Sequence, residues 1–165
     1  VRIRDFVTSD LDAALDLNNR NVPALNELDA PEISRLVRIC HTALTAEVDV
    51  DGVATFAGFC LVFAPGADYA SLNYRWFSAH YMEFAYLDRI AVEPTFRRFG
   101  IGRGFYAELS QRLPVAFPVL CCEVNVRPRN DASLDFHHAI GFREVGQQDT
   151  DGGAKTVSLL ELALR

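Results

Sequence analysis

The sequence predicts a mixed α/β fold, and three observations carry that prediction. Two β-rich runs, residues 44–50 and 53–63, flank Asp51-Gly52, a dipeptide suited to the positive φ angles of a two-residue hairpin. Residues 86–113 place a strand, a glycine-rich turn and a helical pattern in series. Near the end, two further strand-like runs surround Asp151-Gly152-Gly153. The 165 residues, half of them apolar and 11% aromatic, are expected to form one domain over 1–165, because a chain of this size removes roughly two-thirds of its unfolded surface from water.

In chain order, residues 1–6 alternate apolar and charged side chains, as a half-buried strand does. Thr8 or Ser9 then caps a helix over residues 10–19, with Leu11, Ala14, Leu15 and Asn18 on one face. The polar cluster Asn18-Asn19-Arg20-Asn21 before Pro23 is either a simple loop or, through Asn19, part of a substrate pocket. Pro31 opens a second helix through Ile33, Leu36, Val37 and Cys40, with His41 near its C-terminus. After the hairpin, residues 67–81 carry Tyr69, Tyr74, Trp76, Phe77 and Tyr81 with Arg75 and His80. Their length and irregular pattern predict an ordered loop. Two readings stand for its rings: a lid through which Tyr74, Trp76 and Phe77 touch a substrate, or outer-core and dimer-contact packing.

Residues 82–92 form one long predicted strand. Unbroken alternation puts Phe84, Tyr86, Asp88 and Ile90 on one face and Ala85, Leu87, Arg89 and Ala91 on the other. Asp88 and Arg89 in so apolar a strand require partners. The turn RRFGIGRG, residues 97–104, feeds a helix that points Ile101, Phe105 and Leu109 at the core and stops at Pro114. A strand over 119–126 precedes a helix capped by Asn130 and ended by Gly141. Strands over 142–147 and 155–164 close the chain.

Composition excludes several function classes. Sixteen basic against 22 acidic residues give a net charge of -6, which argues against a nucleic-acid partner held by phosphate neutralisation. Cys40, Cys60, Cys121 and Cys122 show no CxxC and no histidine pair at ligand spacing, so no metal site or disulfide framework is expected. No apolar run reaches the roughly 18 residues of a membrane span, and no basic-then-apolar leader opens the chain. A cytoplasmic location is the expectation.

The glycine turn is where chemistry concentrates. A helix N-terminus offers unpaired amides and a positive dipole end, so this turn suits an anionic phosphate ester. Its glycines are spaced G-x-G-x-G, whereas a dinucleotide fingerprint needs G-x-G-x-x-G, and no Lys-Ser or Lys-Thr follows to make a Walker loop. Three glycines interleaved with three arginines exceed what a chain reversal requires.

Arg97-x-x-Gly100-x-Gly102, after a strand and before a helix, resembles the acyl-CoA pyrophosphate motif of the GNAT N-acetyltransferase superfamily. Asn130-x-x-Ser133-x-x-Phe136-His137-x-x-x-Gly141-Phe142 is similar to that family's second cofactor-side segment, N-x-x-A-x-x-L-Y-x-x-x-G-F. The resemblance covers residues 86–142 well and implies a mostly antiparallel sheet, splayed at the cofactor site, with helices on both faces. It implies acetyl-CoA as cofactor, its pyrophosphate against Arg97, Arg98, Phe99, Gly100, Ile101, Gly102 and Arg103. The pantetheine arm would pair with the backbone of Ile90, Ala91 and Val92, and Asn130 and Ser133 would touch the cofactor.

The implied reaction is acetyl transfer to a primary amine, of a small molecule or a peptide N-terminus, by direct attack on the thioester. It needs a base for the ammonium and a proton or dipole for the departing thiolate. Asp88 is the first candidate base, with Tyr86 on its face; Glu83 and Glu123 follow, Glu83 having the wrong parity unless a bulge intervenes. Asp88 is alternatively a structural partner of Arg89 or Arg127. Where the family commonly has a proton-donating tyrosine this chain has His137, an acid at neutral pH or merely a surface residue. Asn125, on the neighbouring strand, is placed with the acceptor, as is Asn19. A homodimer completing the acceptor site and a noncatalytic acyl-CoA-binding module are the other readings kept open.

Overall fold

The structure, a computed structural model, describes residues 1–164. In chain order it runs β1 (Arg2–Asp5), α1 (Leu11–Arg20), α2 (Ala30–Ile39), β2 (Thr42–Val50), β3 (Val53–Phe63) and α3 (Leu72–His80). It continues through β4 (Ala85–Val92), α4 (Ile101–Arg112), β5 (Val119–Arg127), α5 (Asp131–Ala139), β6 (Arg143–Thr150) and β7 (Lys155–Ala163). The strands form an open sheet in the order β1-β2-β3-β4-β5-β7-β6. The β1–β2, β2–β3, β5–β7 and β6–β7 ladders are antiparallel and β4–β5 is parallel, so the mixed, mostly antiparallel architecture expected from the sequence is the one observed. Two compact units share it: Val1–Phe63 with Arg89–Leu113, and Ala64–Asp88 with the chain from Pro114 on. The unit boundary falls inside β4.

In the first unit the Asp51-Gly52 hairpin forms as expected, with φ of 53° and 82° at the two turn residues, angles that join β2 to β3 in register. The pleat of β1 sends neighbouring side chains to opposite faces. Ile3 lies against Gly104 of α4, while Arg4 donates to Asp10, at the head of α1, and to Glu47. Helices therefore cover both faces of this unit. Burial works against the Asp10 carboxylate, but hydrogen bonds from Arg4, the Val7 amide and Thr45 overcome it and hold its pKa down. Because Asp10 is drawn inward, α1 starts after a 3-10 turn at Thr8–Asp10 instead of at a Thr8 or Ser9 cap. Its buried face carries Ala14, Leu17 and Asn18 rather than Leu11 and Leu15. The second helix starts as expected, with Asp29 and Glu32 closing a capping box around Pro31.

Residues 67–81, expected to be a loop, contain α3 instead. Ser71 accepts from the Tyr74 amide as N-cap, and Tyr74 and Phe77 turn inward. The strand expected over 82–92 starts only at Ala85, leaving Met82 and Glu83 exposed before it. In the same unit β5 pairs with β7 along its length, and Phe77, Phe84, Tyr86, Leu120, Cys121 and Leu159 are fully enclosed. Burial also raises the Cys121 and Cys122 thiols, and all four cysteines are free. Asn130 caps α5 and Gly141, at φ 103°, ends it, both as the sequence indicates. Among the described residues no helix is long and apolar enough to cross a membrane.

One close approach in the first unit fixes how β4 leaves β3. The β2–β3 register shifts at Ala46/Glu47, and a Cβ on Gly58 would sit 2.5 Å from the Ala91 carbonyl oxygen. Only glycine fits there. Gly58→Ala is expected to cost about 1–3 kcal/mol, lowering the melting temperature by roughly 2–4 °C for each of them; thermal unfolding with no change in midpoint would contradict this packing.

Candidate active site

Successive side chains of β4 turn to opposite faces. Tyr86 is 0% exposed, and its hydroxyl donates to both carboxylate oxygens of Glu123 on β5, at 2.7 and 2.9 Å. Burial, followed by the charges of Glu123 and Asp88, pushes the phenol well above its ordinary pKa. It therefore stays protonated, a donor and not a base, at neutral pH. Asp88, two residues on and on the same face, accepts from the Tyr69 hydroxyl at 2.5 Å. Arg89 points the other way within the first unit, donating to Asn18 Oδ1 at 2.8 Å and to the Asn26 carbonyl at 3.1 Å. Tyr69 thus gives the Asp88 carboxylate a hydrogen bond, and Asn18 and Asn26 give the Arg89 guanidinium two acceptors.

Tyr69 is held from behind. Its ring lies 5.7 Å from that of Tyr74, whose hydroxyl accepts from the Ala67 amide at 2.9 Å and donates to the Ala64 carbonyl at 2.7 Å. Tyr74 in turn packs on Tyr86, 5.5 Å between centroids. Sequence reasoning missed Tyr69 as a site residue; it stands 19 positions from Asp88, and no local spacing announces that pair.

Several residues assigned to the acceptor have other work. Tyr74 is 3% and Phe77 0% exposed; both are the inward face of α3, so no lid is made from them. Trp76 is half-buried, stacked on His80 at 3.8 Å and pressed against Gly146 of β6. The Asn19 amide is engaged on both sides by the loop before α2, donating to the Leu28 carbonyl and accepting from the Leu28 amide and Asn18. Asn125 is buried in β5, opposite Val157. Glu83, a candidate base in the sequence, lies exposed before β4 begins.

The turn before α4 belongs to the first unit. Arg98 and Gly100 take φ of 71° and 79°, folding the chain so that the first amides of α4 lack intrahelical acceptors. A Cβ on Gly100 would meet nothing within 4 Å, so the turn is open on that side. Arg97, Arg98 and Arg103 are exposed, whereas Arg4, Arg20 and Arg112 of the same unit are tied to carboxylates. The buried Ile101 side chain anchors the helix and leaves only its amide for a ligand. Helix dipole, amides and guanidinium groups together suit a diphosphate. Ile90 and Val92 are half-buried and Ala91 buried along β4. The β4–β5 ladder consists of Ala85–Leu120 and Tyr86–Cys121, while β5 stays paired with β7 as far as Arg127.

On α5, the Asn130 side chain accepts from the Ser133 amide as cap, and Ser133 Oγ lies 3.3 Å from His137 Nδ1. His137 is not a surface residue: it is 3% exposed, edge-on to Phe136 and Phe142. Its Nδ1 lies 2.7 Å from the Ser133 carbonyl, which fixes the proton there. Burial lowers its pKa, so the ring is neutral at pH 7. A histidine whose folded pKa lies below the unfolded value, near 6.5, withholds a proton that the unfolded chain accepts. Stability from this site is complete above that pH and is lost as pH falls through it. In melting scans from pH 7.5 to 5, His137→Phe is expected to flatten the acid-side loss of stability; a variant as acid-sensitive as the parent would contradict the neutral, buried assignment.

Against known proteins, the chain matches the acetyltransferase (GNAT) family over residues 29–142. None of the curated proteins compared with it matches. Among solved structures it is similar to the ribosomal-protein-S18-alanine N-acetyltransferase of Escherichia coli, at 20% identity and TM-score 0.69 over 99% of this chain and 93% of that one. It is also similar to Arabidopsis thaliana NAA60 in complex with a bisubstrate analogue, at 17% identity and TM-score 0.74 over 98% and 97%. A third likeness is to yncA of Salmonella typhimurium, a putative acetyltransferase with its cofactor acetyl-CoA, at 17% identity and TM-score 0.68 over 99% and 94%. With more than half of its length matched by the family, this chain belongs to the GNAT acetyltransferases.

Proposed function

We propose that the chain moves an acetyl group from acetyl-CoA to a primary amine by direct attack, with Asp88 as the base. The observation that carries this is the Asp88 carboxylate on β4, just past the end of the β4–β5 ladder and held by the Tyr69 phenol. The first amides of α4, with Arg97, Arg98 and Arg103, hold the diphosphate of the cofactor. Backbone groups at Ile90, Ala91 and Val92 hydrogen-bond its amide-bearing arm, and Asn130 and Ser133 add contacts from α5.

Bound acetyl-CoA supplies an activated acyl carbon and a thiolate leaving group. Asp88 accepts the proton that the substrate ammonium must lose before its nitrogen can form the new C–N bond as the C–S bond breaks, and the second proton shed by that nitrogen neutralises the departing thiolate. A backbone amide of β4 steadies the charge on the acyl oxygen. Tyr86, kept protonated, and Glu123 hold the strand face beside Asp88. His137 keeps its proton on Nδ1, donated to the Ser133 carbonyl, and serves packing rather than acid catalysis.

The acceptor is a small amine or a peptide N-terminus. The E. coli neighbour's named activity makes a peptide beginning with alanine the first to try, beside spermidine and tryptamine. Thiol release from acetyl-CoA with one of these is expected, and Asp88→Asn is expected to lower kcat about 100-fold or more with the KM for acetyl-CoA near normal. Acetyl-CoA binding without thiol release over a broad amine panel would replace this reading with a noncatalytic acyl-CoA-binding module.

A further inference from the structure

We infer that Tyr69 is the positioning residue of the reaction: it fixes the carboxylate of Asp88 and keeps it ionised. The inference rests on the proposed role of Asp88 as base. Tyr69 lies in the segment between β3 and α3, outside both motifs of the sequence, and its hydroxyl approaches Asp88 Oδ1 to 2.5 Å. It is itself held. The Tyr74 hydroxyl ties that segment down at Ala64 and Ala67, and the Tyr69 ring leans on the Tyr74 ring. One end of this chain is the buried face of α3 and the other is the carboxylate.

Several oxygen-bearing side chains stand around Asp88. From β4 comes Tyr86, which feels the charges of both Glu123 and Asp88; from β5 comes Glu123 itself, bound to Tyr86; from the α3 side come Tyr69 and Tyr74. Arg89 leaves on the opposite face to Asn18 and Asn26. Two phenols and a second carboxylate thus stand near Asp88. A like charge nearby favours the protonated acid, whereas a hydrogen bond donated to the carboxylate favours the ion. The Tyr69 hydroxyl supplies such a bond, and a donor to a charged group changes an equilibrium by about 10- to 100-fold.

Tyr69→Phe keeps the ring and removes the donor. With the best acceptor of the amine panel, it is expected to lower kcat/KM for the amine about tenfold or more. The KM for acetyl-CoA should stay near normal, the acidic limb of the kcat/KM profile should move to higher pH, and activity should partly recover above that limb. Tyr69→Phe on an Asp88→Asn background should cost nothing further. In parallel, carbon-13 NMR titration of the Asp88 carboxyl in the intact chain should give a higher midpoint in Tyr69→Phe than in the parent, whether or not any amine is acetylated. An unmoved NMR midpoint, or a rate loss uniform across pH, overturns the inference. Full turnover by Asp88→Asn instead removes the base itself, and a raised NMR midpoint beside it would show that the failure lies in the choice of base and not in the Tyr69 contact.

Discussion

Two opposite charges at consecutive positions of a buried strand cannot share a face, because the pleat separates them. Asp88 and Arg89 stand in that position in β4, and each must find its partner in a different part of the chain or bear the cost of an unpaired buried ion. Arg89 finds Asn18 and the Asn26 carbonyl, and with Asn19 bonded to Leu28 this orders the long connection between α1 and α2. Asp88 finds Tyr69, which orders the connection between β3 and α3. Each residue of the dipeptide thus tethers one irregular segment, beside that segment's other hydrogen bonds.

The same strand has one end in each unit, and its two ends differ in chemistry. Its C-terminal half leads, through a 3-10 turn at Pro94–Phe96, into the left-handed bends at Arg98 and Gly100 and the open N-terminus of α4. Positive backbone and side-chain charge gathers there. Its N-terminal half carries Tyr86 and Asp88 with their oxygen partners, where carboxylates and phenols gather. The first end suits a phosphate ester and the second a group that must lose a proton. That polarity along a single strand requires no large net charge on the chain.

What was legible in the sequence follows the range of the forces involved. The Asp51-Gly52 turn, the Asn130 cap, the Gly141 helix end and the glycine turn before α4 are set by neighbours within a few residues, and each stands where the pattern places it. Helix α3 was hidden although Ser71, Tyr74, Phe77 and Tyr81 have helical spacing, because polar and aromatic residues alternate too irregularly to give an apolar stripe. The start of α1 shifted because Asp10 answers to Arg4 and Thr45, the latter 35 residues away. The role of His137 turned on burial between Phe136 and Phe142, a tertiary fact. In the candidate site the glycine turn before α4 could be read from local order, whereas the Tyr69–Asp88 and Tyr86–Glu123 pairs span 19 and 37 residues and appear only when the strands are assembled.

The most direct test of this account is a crystal structure of the chain with acetyl-CoA bound. It should place the diphosphate on the amides that follow Gly100 and the acetyl carbonyl beside Asp88, within reach of one bridging water, with the Tyr69 hydroxyl still on the carboxylate. A diphosphate bound elsewhere, or an acetyl group at the far end of β4 from Asp88, would contradict it.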